Sequence, residues 1–466
     1  MKVNNIDIMK YELNDIATSE MFFEYANNDL LYIHDVNAWY YYTGQKWEQD
    51  NSSGIMSKRF MKNLAKYCKE FIKAYNFPDL ETEKAYETYY NRVGKASFRN
   101  SILDDSKTEF NHKFKEFNSH KQLFNCTNGT YDLESGGFRN HSPEDMLTDI
   151  SNVTYDPNAK CPRFNKFIDE IMECDIDKAN YLLEAMAYCL SGDTQLECFF
   201  ILYGPTSRNG KGTLMTLMME LLGDYAYTLN NGAIISKTNV DPSKPSPHWA
   251  KLLSARMANI NETNSNFPID SALIKTLTGG DSLVTRNLFE GEKEYTPQFK
   301  IFINSNHLPK MNDDTVIKSD RLHLICFNKH FIPEERDTSL KETLKEEIPG
   351  IFNLLVEKYR NLKARGNFQV PNESKEELYK YLCAVDSVQN YVDENLEKDS
   401  NACEKLKNLY DDYTYWCSEN DLKPLSKNEF KTKIDEKNIR YLGKVNRKNI
   451  HGLYENTYWC EGVKII

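Results

Sequence analysis

The run Phe199-Phe200-Ile201-Leu202-Tyr203-Gly204-Pro205-Thr206-Ser207-Arg208-Asn209-Gly210-Lys211-Gly212-Thr213 is the segment best suited to chemistry, because an apolar stretch breaks there into a glycine-bearing loop with one embedded lysine. Such a loop cradles phosphate. Backbone N–H groups of the loop and of the helix that follows point at the anion, and the lysine adds a point charge between the β- and γ-phosphates. Glycine lets the backbone approach the ligand closely. Five residues, rather than the usual four, separate Gly204 from Gly210, and Gly212 stands where Ser or Thr is customary. Thr213 is therefore the expected magnesium-side hydroxyl, and the implied cofactors are ATP and Mg2+.

Two elements must position this loop. Phe199 to Tyr203 reads as a buried strand, and the stretch after Lys211 reads as a helix whose Leu214, Leu217, Met218 and Leu221 share one face before Gly223 stops it. A structural turn that happens to contain Gly-Lys is the bland alternative. Hydrolysis needs further groups: a carboxylate to position water, a polar sensor of the γ-phosphate and a cation to offset transition-state charge. Ala255 to Glu262 reads as a strand ending in a carboxylate, which makes Glu262 the candidate base and a metal-side group; Asn261 precedes it, where an Asp often holds magnesium. Phe299 to Ile303 is a second strong strand, and Asn306 beyond it is the candidate sensor. Arg321 enters a third strand and is the candidate arginine finger; by itself it is only a salt-bridge candidate.

Composition bounds the rest. The 466 residues allow about three domains. With 40% hydrophobic residues, 29 Tyr and 24 Phe, the chain is not wholesale disordered. No apolar run approaches the roughly 20 residues that span a bilayer, and the N-terminus lacks a signal-peptide pattern, so a cytoplasmic protein is expected. Eleven cysteines without a C-x-x-C pair suit reduced thiols. The net charge of −11 argues against nucleic-acid binding by the whole surface. Lys423 to His451 departs from that balance: nine basic residues, among them Lys427, Lys431, Lys444, Arg447 and Lys448, stand against three acidic ones. A polyanion partner is implied there, with an ordinary solvated lysine-rich face as the alternative.

Punctuation divides the chain into an aromatic-rich α+β region over 1–120, a turn-rich segment with helices over 121–195, an α/β nucleotide-binding core over 196–330, a helical lid and linker over 331–370, and a terminal module over 375–466. In the terminal module, helices over Ser387–Leu396, Leu406–Cys417 and Ser426–Glu436 followed by a basic hairpin match a winged helix.

The order of motifs is recognisable: the phosphate loop, a strand ending in Glu, Leu277-Thr278-Gly279-Gly280-Asp281-Ser282-Leu283-Val284-Thr285-Arg286, then Asn304-Ser305-Asn306-His307-Leu308-Pro309 and Asp320-Arg321-Leu322. It resembles the superfamily 3 helicases of the phage and plasmid primase–helicase type, related to the poxvirus primase–helicase. The resemblance implies an AAA+-like P-loop ATPase core and a homo-hexameric ring that moves 3′-to-5′ along single-stranded DNA while replicating a phage or other mobile element, in the cytoplasm of a bacterial host. It also implies single-stranded and forked DNA as substrates and a primase or other replication protein as a partner. A channel hairpin is implied within Asn287–Thr296, with Lys293 contacting DNA backbone, Phe289 or Tyr295 stacking on bases, and Arg286 supporting the hairpin or touching nucleotide. Relatives often carry a fused primase domain; residues 1–120 show neither a zinc-binding cysteine cluster nor an acidic metal set, and no primase activity is expected. The rival expectation is an origin-binding or loading factor that uses ATP to assemble on duplex DNA without processive unwinding. A small-molecule kinase is a third, remote reading.

Overall fold

The computed structural model describes residues 6–26, 28–50, 54–230, 232, 234, 252–261, 268–285, 293–311, 316, 319–335, 337–420, 422–437, 439–448 and 454–465. Its centre is a five-stranded sheet whose strands we number along the chain: β1 (Phe199–Tyr203), β2 (Ala226–Leu229), β3 (Met257–Asn261), β4 (Lys300–Ser305) and β5 (Leu322–Cys326). They lie in the order β5-β1-β4-β3-β2. Every ladder is parallel.

A parallel sheet must be covered on both faces, and the sequence of β1 shows how. Phe200 and Leu202 point into one core with Phe302, Ile325 and the helix α1 (Lys211–Leu222), while Phe199 and Ile201 point into another with Ile301, Ile303 and Leu324. All four of these β1 side chains are buried, each contributing about 1.5–3 kcal/mol of transfer free energy. The α1 face expected from Leu214, Leu217, Met218 and Leu221 is the buried one, and Gly223 caps the helix with φ 57°.

The second face is closed partly by helix Asn372–Val385, which begins just beyond the expected linker. Leu378, Tyr381 and Leu382 pack with the second core, and Tyr381 donates to the carbonyl of Pro309. Two helices, Leu340–Glu346 and Ile348–Arg365, follow β5.

Residues before β1 form two further layers. Helices Asp15–Ala26, Ile55–Ala74, Leu80–Val93 and Ala96–Asp105 share a core with the small sheet built on Leu30–Ile33 and Ala38–Tyr42. A three-stranded antiparallel unit, Leu123–Cys126, Gly129–Asp132 and Phe138–Arg139, then leads to helices Pro162–Ile171 and Ile176–Tyr188, whose apolar faces join the core shared with α1. Lys46 pairs with Asp224 at 2.8 Å and ties the N-terminal layer to the end of α1. At the C-terminus, helices Ser387–Asn395, Leu406–Glu419 and Lys427–Glu436 pack on a three-stranded sheet in which Tyr454–Ile465 lies between Leu396–Lys405 and Arg440–Lys448. Among the described residues no helix is long and apolar enough to cross a membrane.

Candidate nucleotide-binding site

The loop after β1 meets the start of α1 at the C-terminal edge of the sheet, where ligands of α/β folds bind. Lys211 is nearly buried there, and its amine lies between the ends of two neighbouring strands. It donates to the carbonyl oxygens of Gly204 at 3.1 Å and Ser305 at 2.7 Å and to Asn306 Oδ1 at 3.0 Å. Asn209 Nδ2 closes the loop on the carbonyl of Thr206 at 2.8 Å. A Cβ on Gly204 would sit 2.3 Å from Asn209 Nδ2 and 2.7 Å from the backbone oxygen of Phe327, so this position tolerates no side chain. Gly210 has φ 89°, which only glycine adopts readily, whereas Gly212 faces open space with nothing within 4 Å of its would-be Cβ.

A cavity of about 450 Å³ opens beside the loop, a volume within the usual range for small-molecule sites. Arg208, Gly210 and Thr213 form one wall, and Phe167, Phe331 and Leu340 supply apolar ones. Arg163 reaches both Glu170 and Asp337 at 3.4 Å, joining the helix before β1 to the lid. The irregular segment after β5 is strapped to the loop: His330 Nδ1 meets the carbonyl of Ser207 at 2.8 Å, and Phe331 N donates to that of Arg208 at 2.9 Å. A cradle closed to any side chain at Gly204, a lysine at its floor, the Thr213 hydroxyl and an adjoining cavity are together a donor set that fits a nucleoside triphosphate with its magnesium.

One strand over, Asn304 Nδ2 donates to Asn259 Oδ1 at 2.8 Å and to Asn261 Oδ1 at 3.0 Å, while its own buried Oδ1 has no protein partner. Asn304 thereby sets the end of β3 against the end of β4. Glu262 lies outside the described residues, as do Arg286 and Phe289. Lys293 and Tyr295 fall in strand Lys293–Tyr295, which pairs antiparallel with Leu283–Thr285 as a hairpin requires.

Arg321 occupies the opposite edge. Leu322 is in register with Phe199 at the start of β1, and Phe199 N donates to the carbonyl of Arg321 at 2.9 Å. The phosphate loop begins only after Tyr203, so at about 3.3 Å per residue the length of β1 separates Arg321 from its own protomer's loop. Its guanidinium donates to Thr278 Oγ1 at 2.9 Å and pairs with Glu197 at 2.5 Å. The structure thus brings Lys211 and Asn306 together, places Thr213 on the wall of the adjoining cavity and sets Arg321 apart from them.

In the C-terminal sheet, Lys444 and Lys448 are exposed, whereas Arg447 points to the other face and pairs with Glu461 at 3.2 Å. Lys427 and Lys431 lie on helix Lys427–Glu436, which a capping box between Ser426 and Glu429 fixes at its start. The loop side of the cavity, Arg208, Gly210 and Thr213, lies in the segment the sequence singles out; Asn304 and the far walls do not, although Arg163, Phe167 and Glu170 stand at helical spacing.

A parallel sheet with a phosphate-type loop at its switch from strand to helix defines a P-loop-like α/β core. Comparisons with known proteins then narrow the kinship. Residues 19–173 match the family model described as D5 N terminal like. The chain is 25% identical over 354 residues to a protein of Acanthamoeba polyphaga mimivirus named "Putative helicase", covering 71% of this chain and 36% of that one. It is 27% identical over 270 residues to a Sputnik virophage protein of the same description, covering 54% and 34%. This chain is therefore similar to the D5-like helicases of the primase–helicase type, as its motif order implied. It spans about a third of the length of these relatives. Among solved structures, the NrS-1 C terminal region aligns with a TM-score of 0.52 at 12% identity, over 94% of this chain and 96% of that one, which is a likeness of fold.

Proposed function

We propose that this chain is an ATP- and Mg2+-dependent DNA helicase acting in the replication of a viral or other mobile element. The observation that carries the reading is the Lys211 amine, which joins the phosphate loop, the end of β4 and Asn306 in one cluster. In this reading Lys211 and the loop's N–H groups hold the phosphates, Thr213 holds the metal, and Asn306 stands where it senses the γ-phosphate. Glu262 orients water. When bound, ATP supplies the phosphoryl group whose hydrolysis drives the machine.

The separation of Arg321 from its own loop supports a role toward a neighbouring protomer, which a homo-hexameric ring provides. The hairpin of Leu283–Thr285 and Lys293–Tyr295 is the proposed grip on single-stranded DNA, with 3′-to-5′ movement and superfamily 3 membership inferred from the resemblance. The helix–strand–helix–helix–strand–strand order of residues 387–465 supports a winged helix that holds forked or origin DNA. A primase partner is inferred from kinship alone. The relatives named above come from viruses of eukaryotic hosts, so the expectation of a bacterial host draws no support from them.

Strand displacement on a forked duplex tests the proposal. The intact protein is expected to separate strands with ATP and Mg2+, and Lys211→Ala to bind DNA without separating them. ATP hydrolysis without displacement by the intact protein would favour the loading-factor reading instead.

A further inference from the structure

The outer face of the C-terminal hairpin is built differently from a simple basic wing. Strands Arg440–Lys448 and Tyr454–Ile465 pair so that Lys444 lies opposite Tyr458, Asn446 opposite Asn456 and Lys448 opposite Tyr454. Strand alternation puts these six side chains on one face, and all six are exposed. Val445, Arg447, Glu455 and Thr457 take the other face and are half-buried. Tyr441 stacks on Tyr458 with ring centroids 6.2 Å apart and planes within 16°. From the neighbouring helix, Lys431 Nζ lies 5.0 Å from the Tyr441 ring, and Lys448 Nζ lies 5.3 Å from that of Tyr454. Tyr454 is 67% exposed and Tyr458 49%.

Three features of this face select a partner. Lys431, Lys444 and Lys448 outnumber the one acid that borders them, Asp435, which accepts from Tyr441 N at 2.9 Å, and in a chain whose net charge is −11 the attraction for a polyanion is therefore local. Tyr454 and Tyr458 lie open to solvent four residues apart, about 13 Å along the strand, with Asn456 between them and Lys448 and Lys444 directly opposite on the facing strand. The paired amides of Asn446 and Asn456 add donors and acceptors. A duplex hides its base faces within its own stack, so exposed rings add little to duplex affinity. A single strand offers both base faces and phosphates, and stacking rings interleaved with cations are what such strands bind.

We propose that this face is a single-stranded DNA platform, on which Tyr441, Tyr454 and Tyr458 stack with bases while Lys431, Lys444 and Lys448 pair with phosphates. The proposal rests on the reading of the chain as a DNA-handling protein but does not depend on ATP hydrolysis.

The test uses the full chain without nucleotide and follows fluorescence anisotropy of a labelled oligothymidylate and of a labelled duplex. Tyr454→Ala and Tyr458→Ala are each expected to weaken single-strand binding about tenfold and duplex binding less than twofold, with Tyr→Phe at either position restoring it. Lys444→Gln with Lys448→Gln is expected to lower the slope of log K against log salt by about 1.4, whereas Arg447→Gln leaves it unchanged. A 5-iododeoxyuridine oligonucleotide should photocrosslink within residues 441–458. Equal loss of duplex and single-strand binding would overturn the proposal in favour of a duplex-gripping wing. Full single-strand affinity in the alanine variants, or crosslinks confined to residues 283–295, would also overturn it. ATPase measured in the same variants is expected to stay at the intact level without DNA, which separates failure of this proposal from failure of the helicase reading.

Discussion

The two edges of the central sheet both carry cations, yet their surroundings assign them opposite roles. At the N-terminal edge, Arg256 enters β3 and is fully buried, its guanidinium donating to the backbone carbonyls of Leu190 and Leu123 and lying 4.2 Å over the ring of Tyr225. Lys300 enters β4 equally buried, its amine donating to the carbonyls of Ser191, Asp193 at 3.0 Å and Gln298 at 3.1 Å. Burial lowers the pKa of both, that of Lys300 to about 8. At the C-terminal edge, Lys211 is nearly as buried, but it opens a helix beside a loop, a side-chain amide and a 450 Å³ cavity. A cation locked to fixed carbonyls on all sides holds strands and loops together. One placed where a ligand's oxygens can join its acceptors can do chemistry. Burial alone does not tell the two apart.

Substitutions at the two edges should therefore separate activity from stability. Lys211→Ala is expected to cost at least about 100-fold in ATP turnover, the scale of losing one preorganised electrostatic contact, with the folded state retained by circular dichroism. Arg256→Met should do the reverse: it leaves the carbonyls of Leu190 and Leu123 without their donor, and should cost about 1–3 kcal/mol in denaturant unfolding for each carbonyl left unpaired.

Lys300 sharpens the same contrast through pH. Its folded pKa of about 8 lies below the unfolded value of 10.5, so the folded protein releases this proton first as pH rises. Stability should accordingly increase between about pH 8 and 10.5, by up to about 3 kcal/mol over the whole window, and Lys300→Met should abolish that increment. Unfolding curves of the two proteins at pH 7.5 and pH 9.5 measure the difference.

The glycines of the loop give the smallest effects and opposite signs. Gly210→Ala forces a side chain at φ 89° to within 2.4 Å of Ile171 Cγ2 and should cost about 1–2 kcal/mol. Gly212→Ala enters open space in the first turn of α1 and should add about 0.4–1 kcal/mol, read as a rise in melting temperature.

The C-terminal edge was largely legible in the sequence, because β1 is an unbroken apolar run, the loop is marked by glycines, and α1 repeats its apolar residues at helical spacing. Those are local signals. Arg256 and Lys300 were not legible as buried cations, since a charged residue at a strand's start ordinarily faces water, and most of the carbonyls that seal these two come from residues 123 and 190–193, far away in sequence. Helix Asn372–Val385 was obscured in the same manner: Gly366 and Pro371 punctuate the chain just before it, and Ser374 to Glu377 look solvated until Leu378, Tyr381 and Leu382 meet the sheet. The far walls of the cavity were not legible because they come from a helix before β1 and a lid after β5, which only the closed fold brings to the loop.

Arg321 is the residue on which the comparison finally turns, since it sits at the structural edge and is proposed to act at a neighbour's catalytic one. Mixing the Lys211→Ala and Arg321→Ala proteins measures this directly. Each alone should be inactive, while mixed rings contain boundaries where an intact Lys211 faces an intact Arg321, so ATPase should reappear. Full activity of Arg321→Ala alone, or no recovery in mixtures shown to co-assemble, would contradict the account.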